Sequence, residues 1–249
     1  RQGVATSMGV ETLQIPMFGL YGACSTSGEA LALASMSVAA GYGERMLAVT
    51  SSHFGSAEKE FRFPLGYANQ RPLSAHWTVT GSGAFIVGKN RSHVRITGVT
   101  VGKIVDYGLK DSQNMGACMA PAACDTIIQN LEDFERKETD YDRIITGDLG
   151  YVGQSILFDL MRGKEHDIKI NHMDCGMTIF DQNLQDTHAG GSGCGCAAAT
   201  LSAYILPKIS RGEWKRVLFV PTGALMSTVS YNEGASVPGI AHGIVLEHC

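Results

Sequence analysis

Apolar and polar residues alternate along the chain with two different spacings. Short apolar runs bounded by glycine or charged residues are typical of strands, and apolar residues three and four positions apart are typical of helices. We predict strands at residues 15–20, 45–50, 83–88, 94–105, 141–146, 216–220 and 240–246. We predict helices at residues 27–40, 117–131, 151–161 and 197–209. Strands alternating with helices indicate an α/β fold with a largely buried sheet, in which 83–88 and 94–105 form a hairpin.

Four stretches fit these patterns less well. Residues 1–11 carry a weak helical pattern that is interrupted by glycine, which lowers helix propensity. Residues 168–171 and 177–180 are short apolar runs that fit either a strand or a helix. Residues 53–77 form a loop-rich insert that mixes basic and aromatic side chains.

The chain contains an internal repeat. Two sets of residues line up at a constant offset of 171 positions, for example Gly22 with Gly193 (193 minus 22). The first set is Gly22, Gly41 and Arg45. The partners in that second set are Gly193, Gly212 and Arg216, each in an equivalent turn or strand. We therefore predict two similar halves, residues 1–105 and 106–249, whose small-residue turns meet at one cleft. Chance similarity between two βαβ units is the alternative explanation.

The first of these turns places a cysteine where a helix begins. An apolar run leads into Tyr21–Ser27, and an alanine-rich helical run leads out of it. Backbone N–H groups at a helix N-terminus favour anions and lower the pKa of a cysteine there, so Cys24 is a candidate nucleophile. The alternative is that Cys24 is a small buried residue without chemical function. The residues alone leave both open.

Composition and charge exclude some classes of protein. The chain has 249 residues, of which 44% are hydrophobic and 18% charged, with a formal net charge of −4. These values are typical of a globular protein, and they argue against nucleic acid or a strongly anionic membrane as a partner. We find no signal peptide and no apolar run long enough to span a bilayer. Because the chain opens on Arg1 in mid-pattern, we expect a further N-terminal segment.

The cysteines do not follow a disulfide or zinc pattern. Seven of them are irregularly spaced, and no C-x-x-C motif is present. We interpret them as reduced thiols of an intracellular protein.

Six motifs together resemble one protein family. They are residues 21–27, 61–64, 70–72, 77–81, 145–150 and 190–196. In this combination the chain resembles the stage V sporulation protein AD family, which lies within the thiolase and ketoacyl-synthase superfamily. The resemblance implies an α/β, thiolase-like fold of two pseudo-repeated βαβαβ halves in α-β-α-β-α layers.

The resemblance also implies a function. Members of that family bind dipicolinate, a pyridine dicarboxylate, for its uptake into the developing bacterial spore. It implies as partners dipicolinic acid, free or as a calcium chelate, and other proteins of the spore dipicolinate-uptake assembly. It further implies a peripheral location at the spore inner membrane, no cofactor, and a homodimer as one option for the assembly state.

The same motifs depart from those of condensing enzymes. Such enzymes need a thiolate together with histidine or asparagine side chains that hold a thioester oxygen. Cys24 matches the nucleophile, but Asp148 stands in a turn without imidazole, and residues 190–192 offer no asparagine or histidine, with His188 just ahead of them. This pattern argues against condensation. An acyltransferase that uses Cys24, and a purely structural role in a membrane-associated assembly, remain alternatives.

A flat aromatic dianion calls for guanidinium groups on its carboxylates and aromatic walls against its ring. The predicted ligand-binding residues are Cys24, Ser25, Arg62, Phe63, Arg71, Trp77, Asp148 and His188. For each arginine the alternative is a structural ion pair, and for Asp148 and His188 it is a polar residue satisfied within a turn. Asp181 and Asp186 have no spacing that predicts a metal site.

Overall fold

A computed structural model gives the fold of residues 2–61 and 71–249, which are the residues that the structure describes. The helices are α1 (Gln2–Glu11), α2 (Thr26–Ala39), α3 (Phe54–Phe61), α4 (Met115–Asp133), α5 (Gly150–Arg162), α6 (Cys175–Thr178), α7 (Cys194–Thr200), α8 (Leu206–Ser210) and α9 (Thr228–Asn232). A π-helical segment, Leu201–Ile205, joins α7 to α8. A 3-10 turn lies at Glu138–Asp140.

The strands form one large sheet and three smaller ladders. They are β1 (Arg45–Ser52), β2 (Trp77–Thr78), β3 (Gly81–Gly88), β4 (Val94–Thr100), β5 (Arg143–Thr146), β6 (His172–Asp174), β7 (Gly191–Ser192), β8 (Arg216–Val220), β9 (Thr222–Ala224), β10 (Gly239–Ala241) and β11 (Gly243–His248). The large sheet has the order β4-β11-β8-β5-β6, with β5 parallel to both of its neighbours. The smaller ladders are β1-β3, β9-β10 and the parallel pair β2-β7.

Helices cover both faces of the large sheet, which explains why the residues that follow Arg143 in β5 and Arg216 in β8 are buried. On one face, Leu218 and Val245 pack with Met119 of α4 and Leu157 of α5. On the other face, Phe219 packs in a core shared with α2 and α7.

Helices α2 and α7 also contact β1 and β3. They form a central helical layer between the large sheet and the β1-β3 ladder. This stacking confirms the predicted layered α/β fold.

The internal repeat is visible in the order of elements. Helix α2 leads into β1, which pairs antiparallel with β3, and helices α7 and α8 lead into β8, which pairs antiparallel with β11. The division at residue 105 stays a prediction. Strand β4, which precedes it, pairs with β11 in the large sheet.

Two strand predictions are wrong. Residues 15–20 form no strand, and Ile15, Met17 and Phe18 are half or more exposed, because no described strand lies beside them to supply hydrogen-bond partners. Residues 83–88 and 94–105 do not form a hairpin. Strand β3 instead pairs along its whole length with β1, from Gly88 opposite Arg45 onward, and the chain then crosses to the large sheet.

The less regular stretches resolve in different ways. Residues 1–11 are largely helical as α1, and the insert begins with helix α3 rather than a loop. Residues 177–180 overlap the short helix α6, and residues 168–171 lie in a turn before β6. None of the described helices has the length and hydropathy needed to cross a bilayer.

Helices α4 and α5 cross at two glycines, and this crossing fixes where α5 begins. A Cβ atom placed on Gly153 would lie 2.8 Å from the Cα and 2.9 Å from the carbonyl oxygen of Gly116. Contacts below 3.0 Å to backbone cannot be relieved by rotating a side chain, so the helices would have to separate.

We therefore expect Gly153→Ala to destabilise the protein by about 1–3 kcal/mol. Urea unfolding followed by circular dichroism measures this change. The matched control is Gly163→Ala at the exposed end of α5, where a Cβ atom meets nothing closer than 3.4 Å. Equal unfolding midpoints for the two variants would show that the helices do not cross as closely as described.

Candidate functional site

The two small-residue turns of the repeat meet, as predicted. The Sγ atom of Cys24 lies 3.8 Å from the Oγ atom of Ser192 in the second turn. The strand that follows β8 also packs against the first turn, since a Cβ atom on Gly223 would lie 3.0 Å from the backbone nitrogen of Ser25.

Ser25 is buried and is engaged within its own turn. Its hydroxyl group donates a hydrogen bond of 2.6 Å to the carbonyl oxygen of Gly22, and its backbone N–H donates to the same oxygen at 3.0 Å. Ala23 supports this tight turn with a φ of 52°, in the left-handed region that non-glycine residues seldom occupy. Ser25 thus fixes the position of Cys24.

Asp148 lies at the centre of the site, buried and with both carboxylate oxygens hydrogen-bonded. It accepts hydrogen bonds from the hydroxyl of Thr222 (2.9 Å), the backbone N–H of Gly193 (2.8 Å) and the hydroxyl of Ser192 (3.2 Å). The donors lie at the end of β7 and in β9, while Asp148 itself lies in the turn after β5. The carboxylate therefore joins three segments of the second half, and Ser192 connects it to Cys24 of the first half.

The surroundings of Cys24 oppose its ionisation. Burial raises the pKa of the Cys24 thiol well above its usual value, and the nearby Asp148 carboxylate raises it further. The helix N-terminus was expected to lower this pKa, but that expectation took no account of a buried carboxylate next to the thiol. Cys24 is therefore held as a neutral thiol.

His76 is a buried residue of this site that the sequence analysis did not select. Its Nε2 atom lies 3.1 Å from the carbonyl oxygen of Leu149, so this nitrogen carries the hydrogen. Burial lowers the pKa of His76, and the Asp148 carboxylate partly opposes that effect. The signal that could have found it is its position immediately before the 77–81 motif.

Asp174 is a second carboxylate that sequence reasoning missed. It accepts hydrogen bonds from the hydroxyl of Thr146 (2.6 Å) and from the backbone N–H groups of Leu149 (2.9 Å), Gly150 (3.1 Å) and Met177 (3.2 Å). It thereby caps the starts of α5 and α6 together and holds the turn that carries Asp148. Burial raises the pKa of Asp174 from 3.8 to about 6, although its hydrogen bonds oppose this.

His172 contacts the same Thr146 hydroxyl that donates to Asp174. Its Nε2 atom lies 3.1 Å from the Thr146 hydroxyl, and its Nδ1 atom lies 2.9 Å from the side-chain nitrogen of Gln154. Burial lowers the pKa of His172 to about 3, so the imidazole is neutral.

A second cluster forms around the exposed carboxylate of Asp186. The guanidinium of Arg71 is buried and lies 3.0 Å from Oδ2 of Asp186, and Nε2 of His188 lies 3.0 Å from Oδ1 of the same carboxylate. Arg71 also lies over the Trp77 ring, 4.3 Å from its centroid, and Phe54 stacks on that ring at 4.5 Å. An ion pair, the alternative considered for each arginine, is therefore present at Arg71.

The two clusters are linked by the short parallel ladder of β2 and β7. In that ladder Trp77 lies opposite Gly191, and Thr78 lies opposite Ser192, which contacts both Asp148 and Cys24. Arg62 and Phe63 lie outside the described residues. Asp181 is exposed, and within the described ranges no group of three or more His, Cys, Asp or Glu side chains is placed to hold a metal ion.

We expect Asp174→Asn to destabilise the protein by about 1–3 kcal/mol, because an amide nitrogen cannot accept the N–H groups that the carboxylate accepts. Since the folded pKa is raised, Asp174 contributes stability at low pH that is lost as the pH rises through about 6. The variant lacks this stabilisation at low pH. Its free energy of unfolding should therefore fall further below that of the parent protein near pH 4.5 than near pH 7.5. Urea unfolding at both pH values measures it, with exposed Asp159→Asn as the control. A deficit that does not change with pH would contradict the raised pKa.

Comparisons with known proteins identify the family of this chain. A sequence profile described as stage V sporulation protein AD matches residues 1–247. The chain is 43% identical over 246 residues to stage V sporulation protein AD of Bacillus subtilis (strain 168), covering 99% of this chain and 72% of that protein.

Solved structures show the fold at low sequence identity. A tetronic acid condensing enzyme, AbyA1, superposes with a TM-score of 0.60 at 13% identity, over 98% of this chain and 73% of that one. The Acat5 thiolase from Ascaris suum, solved in complex with coenzyme A, gives 0.59 at 10% identity, over 100% and 84%. The fold is that of thiolases and ketoacyl synthases, and the chain belongs to the stage V sporulation protein AD family.

Proposed function

We propose that this chain is a non-catalytic, thiolase-fold protein that binds dipicolinate for its uptake into the developing spore. The observation that carries the proposal is the buried Arg71 guanidinium, which lies over the Trp77 ring beside the cleft where the two turns of the repeat meet. A guanidinium in a fixed plane presents two N–H groups to a carboxylate, which is what a flat dicarboxylate requires.

The partner of Arg71 in the fold can be exchanged. The side chain of Asp186 is 78% exposed, whereas that of Arg71 is 2% exposed. A ligand carboxylate can take the place of the Asp186 carboxylate, which moves into water, while Arg71 keeps its 2.8 Å hydrogen bond to the main-chain carbonyl of Asp186. His188, which contacts the same carboxylate, would then lie next to the incoming ligand.

Trp77 has a supporting role in this proposal. Arg71 and Phe54 already contact its ring, so Trp77 orients the guanidinium rather than stacking on the ligand. We assign the aromatic wall and the second guanidinium to Phe63 and Arg62, the residues that the chemistry of a flat dicarboxylate selects in the sequence.

Asp148 determines which way the ligand points. Its carboxylate is buried next to Cys24 and repels a second anion strongly in a site with little water. We therefore propose that the ligand carboxylates face Arg71 and that the ring edge faces Cys24. A bound calcium ion would reduce the same repulsion, so the calcium chelate is a second form of the ligand to test.

The absence of catalysis is also part of the proposal. An acyl-transfer nucleophile must be activated by a base or by a lowered pKa. Cys24 instead contacts a hydroxyl group and has a raised pKa next to a carboxylate. The alternative, an acyltransferase using Cys24, is favoured only by the position of the thiol at the start of α2.

The proposal includes a peripheral location at the spore inner membrane, with the other proteins of the dipicolinate-uptake assembly as partners. This part of the proposal is supported by the chain's membership of the family.

We expect dipicolinate to bind the full chain and raise its melting temperature, and Arg71→Lys to weaken the affinity by about tenfold or more, because an ammonium cannot bind a carboxylate in a bidentate manner. Titration calorimetry with and without calcium measures the affinity. Arg162→Lys, at an exposed ion pair, is the matched control. Isophthalate, which lacks the ring nitrogen, tests selectivity. Binding of acetyl-CoA but not of dipicolinate would favour the acyltransferase.

We expect iodoacetamide to alkylate Cys24 more slowly than the exposed Cys249 near pH 7.5, because the thiolate is the reactive form and Cys24 is held as the thiol. Peptide mass spectrometry over time resolves the two sites. Cys24→Ser identifies the Cys24 signal and serves as a blank for release of CoA from acetyl-CoA. Fast alkylation of Cys24, or CoA release that Cys24→Ser abolishes, would contradict a non-catalytic role.

A further inference from the structure

A large cleft lies at the far end of helix α2 from Cys24. It has a volume of about 1500 Å³ and is enclosed by the second half of α2, by β3 and β4, and by the start of α8. It forms where the chain leaves the β1-β3 ladder and enters the large sheet, so that β3 and β4 diverge instead of pairing. The cleft is separate from the Asp148 and Arg71 clusters.

The floor of the cleft is apolar and only partly covered. Phe85 and Val87 of β3 and Val94 and Ile96 of β4 line it and are half-buried, packing against the core around α2. Covering such side chains contributes roughly 25 cal/mol for each Å² of apolar surface removed from water. The floor therefore favours an occupant with an apolar face.

The rim of the cleft is basic. Arg45, Lys89 and Arg91 line it and are exposed, and no Asp or Glu is among the lining residues. Within the described part of the chain, no hydrogen bond or ion pair joins these three side chains to another residue. The charge of this rim is opposite in sign to the formal net charge of the chain, which is −4. The rim favours an acidic occupant.

Size and shape restrict the occupant further. Pockets for small ligands typically measure about 300–1000 Å³, and this cleft is larger. Its apolar residues lie at the bottom of a concave space between a helix and two strands, which a flat bilayer surface cannot enter. Grooves of this kind accept an amphipathic helix whose apolar positions recur at i, i+3, i+4 and i+7.

We infer that this cleft is a docking site for an acidic amphipathic helix of a partner protein. The apolar face of the helix covers Phe85, Val87 and Ile96, and its carboxylates lie against Lys89, Arg91 and Arg45. Opposite charges at the rim increase the association rate and set the orientation, and the apolar floor supplies most of the affinity.

The probe is a fluorescein-labelled peptide of about fourteen residues, or four helical turns, with leucine on one face and glutamate elsewhere. Fluorescence anisotropy with the full chain should show saturable binding that weakens as salt is added. Two peptides serve as controls, one with the same composition and its leucines spread over all faces, the other with lysine in place of glutamate. The proposal fails if the acidic peptide does not bind, or if the spread-leucine peptide binds equally well.

Two variants of the protein test the site itself. Lys89→Glu combined with Arg91→Glu should weaken the peptide by about tenfold or more, and Ser35→Trp, which fills the cleft, should abolish binding. Lys110→Glu combined with Lys164→Glu is the control, because those exposed lysines do not line the cleft. Thermal unfolding confirms that each variant folds. Equal peptide affinity for the rim variant and the control would overturn the inference.

Two other occupants are outcomes of the same variants. The rim variant is the protein with Lys89→Glu and Arg91→Glu. If the parent protein does not bind the peptide but sediments with phosphatidylglycerol vesicles, and the rim variant does not sediment with them, the cleft binds anionic lipid and the inference is wrong. If analytical ultracentrifugation shows a dimer that the rim variant loses, and the peptide does not bind, a second copy occupies the cleft and the inference is likewise wrong.

Discussion

The fold and the chemistry of this protein both depend on the buried carboxylate of Asp148. A buried charge without a cation is costly unless hydrogen bonds satisfy it. Here the hydroxyls of Thr222 and Ser192 and the backbone N–H of Gly193 supply those bonds. Because the donors lie on different turns, satisfying the charge also fixes how these turns meet. Loss of one donor would cost about 1–3 kcal/mol and loosen the junction.

The same charge accounts for the difference between this site and that of a condensing enzyme. A thiolate and the oxyanion formed during acyl transfer both need a positive environment. Burial raises the pKa of Cys24, and the negative charge of Asp148 beside it raises that pKa further. Cys24 lies just before α2, yet its surroundings oppose ionisation of the thiol. In the proposed function, binding is driven from the outer edge of the site, where Arg71 lies.

Sequence patterns correctly predicted the elements that can be recognised without knowing which other elements pair or pack with them. Strands β5 and β8 carry short apolar runs and helix α4 carries apolar residues at helical spacing, so these elements can be identified without knowledge of their neighbours. Residues 15–20 have the composition of a strand, but a strand also needs a hydrogen-bond partner, which composition does not report. The predicted hairpin failed for the converse reason, because a distant partner, β1, replaced the local one.

The site shows the same limit at the level of single residues. The repeat offset predicted that Cys24 and the 190–196 turn would meet, since it relates equivalent positions directly. It could not reveal Asp174, whose four hydrogen bonds join β6 to the starts of two helices. It also could not reveal that Arg71 would find its carboxylate 115 residues away at Asp186. Both contacts depend on how the sheet brings distant turns together.

The pair of Arg71 and Asp186 has an asymmetry that bears on binding energetics. The cation is buried and its carboxylate partner is in water, so the cost of desolvating the guanidinium has already been met by folding. In the proposed function, an incoming carboxylate that replaces the Asp186 side chain exchanges one ion pair for a similar one. That exchange contributes orientation and little net free energy. The affinity must then come from what Asp186 cannot supply, namely a second carboxylate on another cation and an aromatic ring removed from water.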